Sequence, residues 1–143
     1  MIYWLELLMT QQITLINIEK SNEKDLDKDI RWICDSFGLS SGRDIDDISI
    51  KIIRDLLNNI PSETNISSEM IANDLGISTS RVNHHIRNLI QSGLLYRKKR
   101  YIYLRGGSLK AAVQEIRKDS ERIFDELEQV AEEIDQNKGI KNR

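Results

Sequence analysis

Apolar residues recur at helical spacing in five stretches of this chain, separated by polar or glycine-bearing breaks. In the first, Leu26, Ile30, Ile33 and Phe37 stand four, three and four apart, which predicts one face of a helix over residues 23 to 37 that Gly38 ends. Trp32 and Cys34 widen that face. The second helix is predicted to begin near Asp44 or Asp46, where acids suit the positive end of the helix dipole, and to bury Ile48, Ile52, Ile53, Leu56, Leu57 and Ile60 before Pro61 stops it. The segment Leu39 to Arg43, with Ser40, Ser41 and Gly42, marks a boundary. Upstream, Ile13, Leu15 and Ile18 alternate imperfectly, as a strand or an extended arm would.

Two short helices follow. Ser67 is placed to cap the first, with Glu69 in its opening turn, Met70, Ile71 and Leu75 as apolar positions, and Gly76 at its end. Ser78 or Thr79 caps the next, whose apolar face is Val82, Ile86, Leu89 and Ile90 and which Gly93 ends. Ala72 lies where the helices approach most closely, Gly76 can take the left-handed conformation of the turn, and Val82 anchors the second helix in the angle between the two. Leu94 to Lys98 and Arg100 to Leu104 then read as strands joined at Lys98 and Lys99; with no Gly or Asn at that turn, a bulge or a longer loop is expected. Finally Ser108 caps a helix reaching about Gln136. Its positions Leu109, Val113, Ile116, Ser120, Ile123, Leu127, Val130 and Ile134 keep an unbroken alternation of four and three.

Charge changes the picture. The net charge of −2 looks wrong for a nucleic-acid partner. Residues 1 to 66, however, carry seven Lys/Arg against twelve Asp/Glu, whereas residues 67 to 105 carry seven against two, a local balance of +5. Beyond a Debye length of about 10 Å the distant acids are screened, so the local balance is what a polyanion meets. With Val82, Ile86 and Leu89 turned inward, the other face of that helix carries Ser80, Arg81, Asn83, His84, Arg87 and Asn88. In a helix-turn-helix this face lies in the major groove: Arg81 or Arg87 suits guanine and Asn83 suits adenine, while Lys98, Lys99 and Arg100 suit phosphates or the minor groove. His84 points outward; His85 is expected to pack and hydrogen-bond within the domain.

The stretch ISSEMIANDLGISTSRVNHHIRNLIQSGLL, from Ile66 to Leu95, followed by YRKKRYIYL, resembles the winged-helix repressors of the ArsR type and, more distantly, the MarR type. The match spans roughly Asp46 to Leu104, less than half of the chain. It implies the winged helix-turn-helix fold and a repressor-like role. The paired cysteines that many ArsR-like sensors carry in the corresponding helix are absent here, so a metal-sensing role is not implied.

The expected organisation is mainly α with a small β-hairpin wing. An N-terminal extension (1–43) with an arm and one helix precedes a winged helix-turn-helix (44–105), a long coiled-coil helix (106–136) and a flexible tail (137–143). The apolar seam residues Leu109, Val113, Ile116, Ile123, Leu127, Val130 and Ile134 would forfeit on the order of 10 kcal/mol in water, so a homodimer is expected, with intramolecular packing covering part of the seam. Composition, 39% hydrophobic and 31% charged, suits a soluble protein. The longest N-terminal apolar stretch, Ile2 to Met9, contains Glu6 and is too short to span a membrane; Met9 is an alternative start, which would make residues 1 to 8 an upstream extension. Cys34 is the sole cysteine, which excludes an internal disulfide and fits a reducing cytoplasm. No phosphate-binding glycine loop, zinc-type Cys/His spacing or catalytic set is present, so neither enzyme activity, cofactor nor metal is expected. The expected function is sequence-specific binding of double-stranded DNA by a dimeric regulator, a repressor by resemblance, with the effector left open. The alternative is a winged-helix scaffold that docks through its long helix. An RNA-binding version lacks an aromatic platform, because Tyr96, Tyr101 and Tyr103 read as strand packing.

Overall fold

The computed structural model describes residues 11–39 and 47–141. The stretch Ile2 to Met9, the alternative start, the helix-start positions Asp44 and Asp46, and all of the boundary segment except Leu39 lie outside the described residues. Residues 11–21 form an extended arm without sheet pairing. Its backbone is laid on the protein by hydrogen bonds from Gln12 N to Gln91 O (2.9 Å), from Ile16 N to Ser36 O (2.8 Å) and from Trp32 Nε1 to Ile18 O (2.9 Å).

Helix α1 (Leu26–Ser36) starts on Asp25, whose carboxylate accepts from the backbone N–H groups of Asp27 and Lys28. It buries Ile30 and Cys34, with Phe37 just beyond its end. Leu26, expected on the same face, is instead 66% exposed, because it occupies the first turn before the helix reaches its neighbour. Helix α2 (Ile48–Asn59) buries Ile48, Ile52, Ile53 and Leu56. Asp47 precedes it in the left-handed region (φ 54°) and caps nothing; its carboxylate is engaged by the Arg31 guanidinium through two hydrogen bonds of 3.1 and 2.6 Å, tying α2 to α1.

Helices α3 (Ser68–Leu75) and α4 (Thr79–Ser92) have the expected ends. Ser67 Oγ accepts from Met70 N and Ser78 Oγ from Arg81 N, while Gly76 (φ 68°) and Gly93 (φ 99°) close the C-termini. Ile77 N reaches back to Ala72 O at 3.1 Å, so the turn between the helices satisfies carbonyls that α3 would otherwise leave open.

Strands β1 (Leu95–Lys98) and β2 (Tyr101–Leu104) pair antiparallel from Leu95 opposite Leu104 to Lys98 opposite Tyr101. The connection is a two-residue turn, Lys99 and Arg100, rather than the bulge or longer loop expected. Lys99 itself supplies the positive φ (59°) that a tight hairpin asks of its first central residue. The hairpin leans on the chain before α3, where Ile102 N donates to Ile66 O (2.8 Å) and Ser67 bridges to Tyr101. Leu95, Ile102 and Leu104 face the core; Tyr96 and Tyr103 stack on the other face, 5.2 Å between ring centres.

After a 3-10 turn (Arg105–Gly107), Ser108 caps the long helix α5 (Leu109–Asn137). The start of the tail is tied down through Ile140, whose N–H bonds to Asp135 O at 2.8 Å. One core joins α1, α2, α3, α4, the hairpin and the first turns of α5, so the helix at residues 26–36 shares its interior with the segment that follows. The architecture is mainly helical with a small two-stranded antiparallel hairpin and a long C-terminal helix. Among the described residues, no helix is long and apolar enough to cross a membrane.

Candidate nucleic-acid interface

The geometry of α4 follows from its buried stripe. Val82, Ile86 and Leu89 are fully enclosed, and this turns Ser80, Arg81, His84, Arg87 and Asn88 to the exposed side. Those five stand where the sequence put them. Asn83 does not: it is half-buried, and its Oδ1 accepts from Ser68 Oγ (2.6 Å) and from Arg97 Nη2 (3.1 Å). An expected base contact is therefore a bracket between α4, the start of α3 and the hairpin. The reason is its place one residue after Val82, at the edge of the buried stripe rather than opposite it.

Arg97 was not among the expected site residues. It lies on the inner face of the hairpin, paired with Ile102 and two positions from Leu95, and from there its guanidinium reaches Asn83 and Ser68 (3.4 Å). The two-residue alternation of the strand carried that signal, because Leu95 inward places Arg97 on the same side. The bracket also holds the hairpin beside α4. Arg87 and Asn88 of α4 and Tyr96 and Arg97 of β1 line one open groove of about 960 Å³, which continues to Arg105 and Arg122.

Lys98, Lys99 and Arg100 project from the hairpin tip and are exposed. Arg100 lies 5.5 Å from the Tyr101 ring centre, a cation over an aromatic face. Of the two histidines, His84 is exposed, whereas His85 Nδ1 lies 3.4 Å from the buried Ser49 Oγ, an internal contact as expected. The two rings meet edge to face at 5.2 Å.

Beneath the groove sits a charge cluster that spacing could not reveal. Asp119, 3% exposed, accepts from Arg105 Nη1 and Gln11 Nε2, both at 2.7 Å, and from Arg122. Arg105 Nη1 also donates to Gly93 O (3.1 Å), the residue that ends α4. Burial alone would push the Asp119 carboxyl up, but hydrogen bonds from Arg105, Gln11 and Arg122 hold it at about 2. A second acidic contact joins α2 to α3: burial and the neighbouring Asp74 carboxyl raise Asp55 to about 6. Asn59 Nδ2 donates to Asp74 at 3.3 Å.

The expected seam of α5 divides. Ala112 and Ile116 are buried and Leu109 and Val113 half-buried against the protein's own core, so they are covered within the chain. Ile123, Leu127, Val130 and Ile134 are 43 to 57% exposed, and so is Phe124, which the seam pattern omitted. Ser120 turns its hydroxyl back to Arg117 O (2.8 Å). Among the described residues, no group of three or more His, Cys, Asp or Glu is placed to hold a metal ion.

No family model, curated protein or solved structure matches this chain.

Proposed function

We propose that this protein is a winged helix-turn-helix regulator that binds double-stranded DNA as a homodimer in the cytoplasm, with α4 as recognition helix and the hairpin as wing. The observation that carries the reading is the pairing of two exposed basic elements in one bracketed unit. Arg81, His84, Arg87 and Asn88 stand on the outer side of α4, and Lys98, Lys99 and Arg100 at the tip of a hairpin held to α4 through Arg97 and Asn83. Arg87 and Arg81 suit guanine edges; the wing cations suit phosphates, which add affinity without sequence information. A repressor role follows from the resemblance to winged-helix repressors.

The exposed apolar stripe of α5 favours a second reading, a winged-helix scaffold whose long helix docks into an assembly. Selection from a random duplex library with the purified protein separates them. A regulator enriches a motif and binds with strong salt dependence. Three wing cations per copy, six in a dimer, give a slope of about −5 in log K against log salt. No enriched motif and salt-insensitive binding would favour the scaffold.

A further inference from the structure

The dimer part of that reading leaves open how two long helices meet, and the exposed stripe answers it. We infer that α5 pairs with α5 of a second copy in antiparallel orientation, centred between Leu127 and Val130, so that Ile123 meets the partner's Ile134 and Leu127 meets the partner's Val130. The inference deepens the homodimer proposal and rests on it.

Four observations lead there. First, the stripe is self-complementary: Ile123, Leu127, Val130 and Ile134 are spaced four, three and four, a pattern that reads the same in both directions, as an isologous two-fold contact requires. Second, its ends match. Ser120 and Asn137 bound it, and the antiparallel register sets the last helical residue of one copy opposite Ser120 of the other, where the protein's own core begins to cover α5. A parallel pair in register would instead run the same face into Ile116 and Ala112, which are 2% and 0% exposed, and would force both globular parts into the space between the helices. Third, in the heptad frame Leu127 and Ile134 stand at a positions and Ile123 and Val130 at d, so both d positions lack the leucine that parallel two-stranded pairing prefers there. Fourth, antiparallel pairing places Phe124 beside the partner's Ala131, large against small. Parallel pairing would set it beside Asp119, a carboxylate already engaged inside the chain.

The area suffices. Half-exposed, the five apolar side chains and their flanking stems bury on the order of 1,000 Å² in a pair, the lower bound for a specific interface. The like-charged flank, Glu126 near the partner's Glu133, opposes the pairing only modestly, because exposed charges in high-dielectric solvent interact weakly. At 1.5 Å per residue the two Ile116 positions lie about 38 Å apart along the helices. A Cβ on Gly93 would meet Ile116 at 3.0 Å, so the C-terminal end of each α4 stands against its own α5 at that position.

Disulfide trapping tests the orientation. Ile123→Cys and Ile134→Cys are made separately in the full chain, where Cys34 is buried and the wild type serves as control. Both new positions are exposed, so neither substitution disturbs the core. After subunit exchange and oxidation, the mixture of the two should give at least tenfold more covalent dimer than either variant alone. Self-crosslinking of each variant alone would establish parallel pairing and overturn the inference. A monomer mass by sedimentation at 10-fold-varied micromolar concentrations would overturn it together with the dimer. The expected trapping pattern in a protein that selects no DNA motif would leave the inference standing while the DNA-binding reading fails.

Discussion

Replacing Asp119 with Asn keeps the size of the side chain but removes the charge that three donors share. In the wild type, Arg105, Gln11 and Arg122 all point at this one carboxylate, which is almost wholly buried. Its folded-state pKa is about 2 against an ordinary 3.8. The sign of the pH effect follows: a depressed folded pKa contributes stability that is fully present above the unfolded value and lost as pH falls through the folded one. The shift corresponds to about 2.5 kcal/mol at neutral pH, and about half of it survives at pH 3. Asp119→Asn should therefore cost about 2 to 3 kcal/mol at pH 7, just below the roughly 3 to 5 kcal/mol for breaking a fully buried charge pair, because Arg122 reaches solvent and can re-solvate. The matching loss in melting temperature is about 8 °C. Urea denaturation of both proteins at pH 7, 5, 4 and 3 isolates this carboxylate, since every other acid titrates in both. The difference should hold from pH 7 to 5 and shrink to about half at pH 3. A difference unchanged between pH 7 and pH 3 would show that the Asn costs stability through shape alone, and would refute the assignment of a shared, ionised carboxylate.

Asp55 has the opposite sign. Its folded pKa of about 6 lies above the ordinary value, so the wild type loses stability as pH rises from about 4 through 6, and Asp55→Asn should be more stable above pH 6 by about 1 kcal/mol after allowance for solvent screening; thermal melts at pH 4 and pH 8 should agree at the first and diverge at the second. Arg87→Ala should cost about 1 to 3 kcal/mol of specific binding, read as a loss of both affinity and site preference in gel-shift titration. Lys99→Ala should weaken all duplexes alike and flatten the salt slope of the dimer by about 2, which titration at four salt concentrations measures.

The helices were legible because each depends on neighbours in sequence. A serine cap and an apolar stripe specify α3, α4 and α5, with a terminal glycine for the first two, and the structure keeps these ends: Ser67 and Gly76, Ser78 and Gly93, and Ser108. The exposed positions of α4 were legible for the same reason, as the complement of Val82, Ile86 and Leu89. What escaped depends on contacts across space. Gln11 and Asp119 stand 108 residues apart, and no periodicity brings them together. Asn83 fell between the two patterns: on a helix wheel it sits at the edge of the buried stripe, and a hairpin packed beside α4 converts that edge into an interior corner. The turn at Lys99 misled because glycine is the favoured residue for a positive φ, not the required one. At a tip where three cations need exposure, a strain of about 1 kcal/mol is offset by an uninterrupted ladder.

The buried cluster also bears on how two distant elements share one orientation. Arg105 leaves the end of β2, donates to the carbonyl of Gly93 at the close of α4, and donates to Asp119 on α5. A single guanidinium thus joins the hairpin, the exposed basic helix and the long helix, and Gln11 adds the arm to the same carboxylate. A two-fold axis through the middle of α5 would fix the distance between two such units only if the angle between α4 and α5 were itself fixed. The Arg105 bridge holds it, together with the close approach at Gly93, where a Cβ would lie 2.9 Å from Gln11 Nε2 and 3.0 Å from side-chain atoms of Arg105 and Ile116. Loss of Asp119 should accordingly loosen the spacing of selected half-sites before it weakens contact with either one. Half-site spacing in library selection is thus the sharper test of this link, since equilibrium affinity for a single half-site depends only on α4 and the wing.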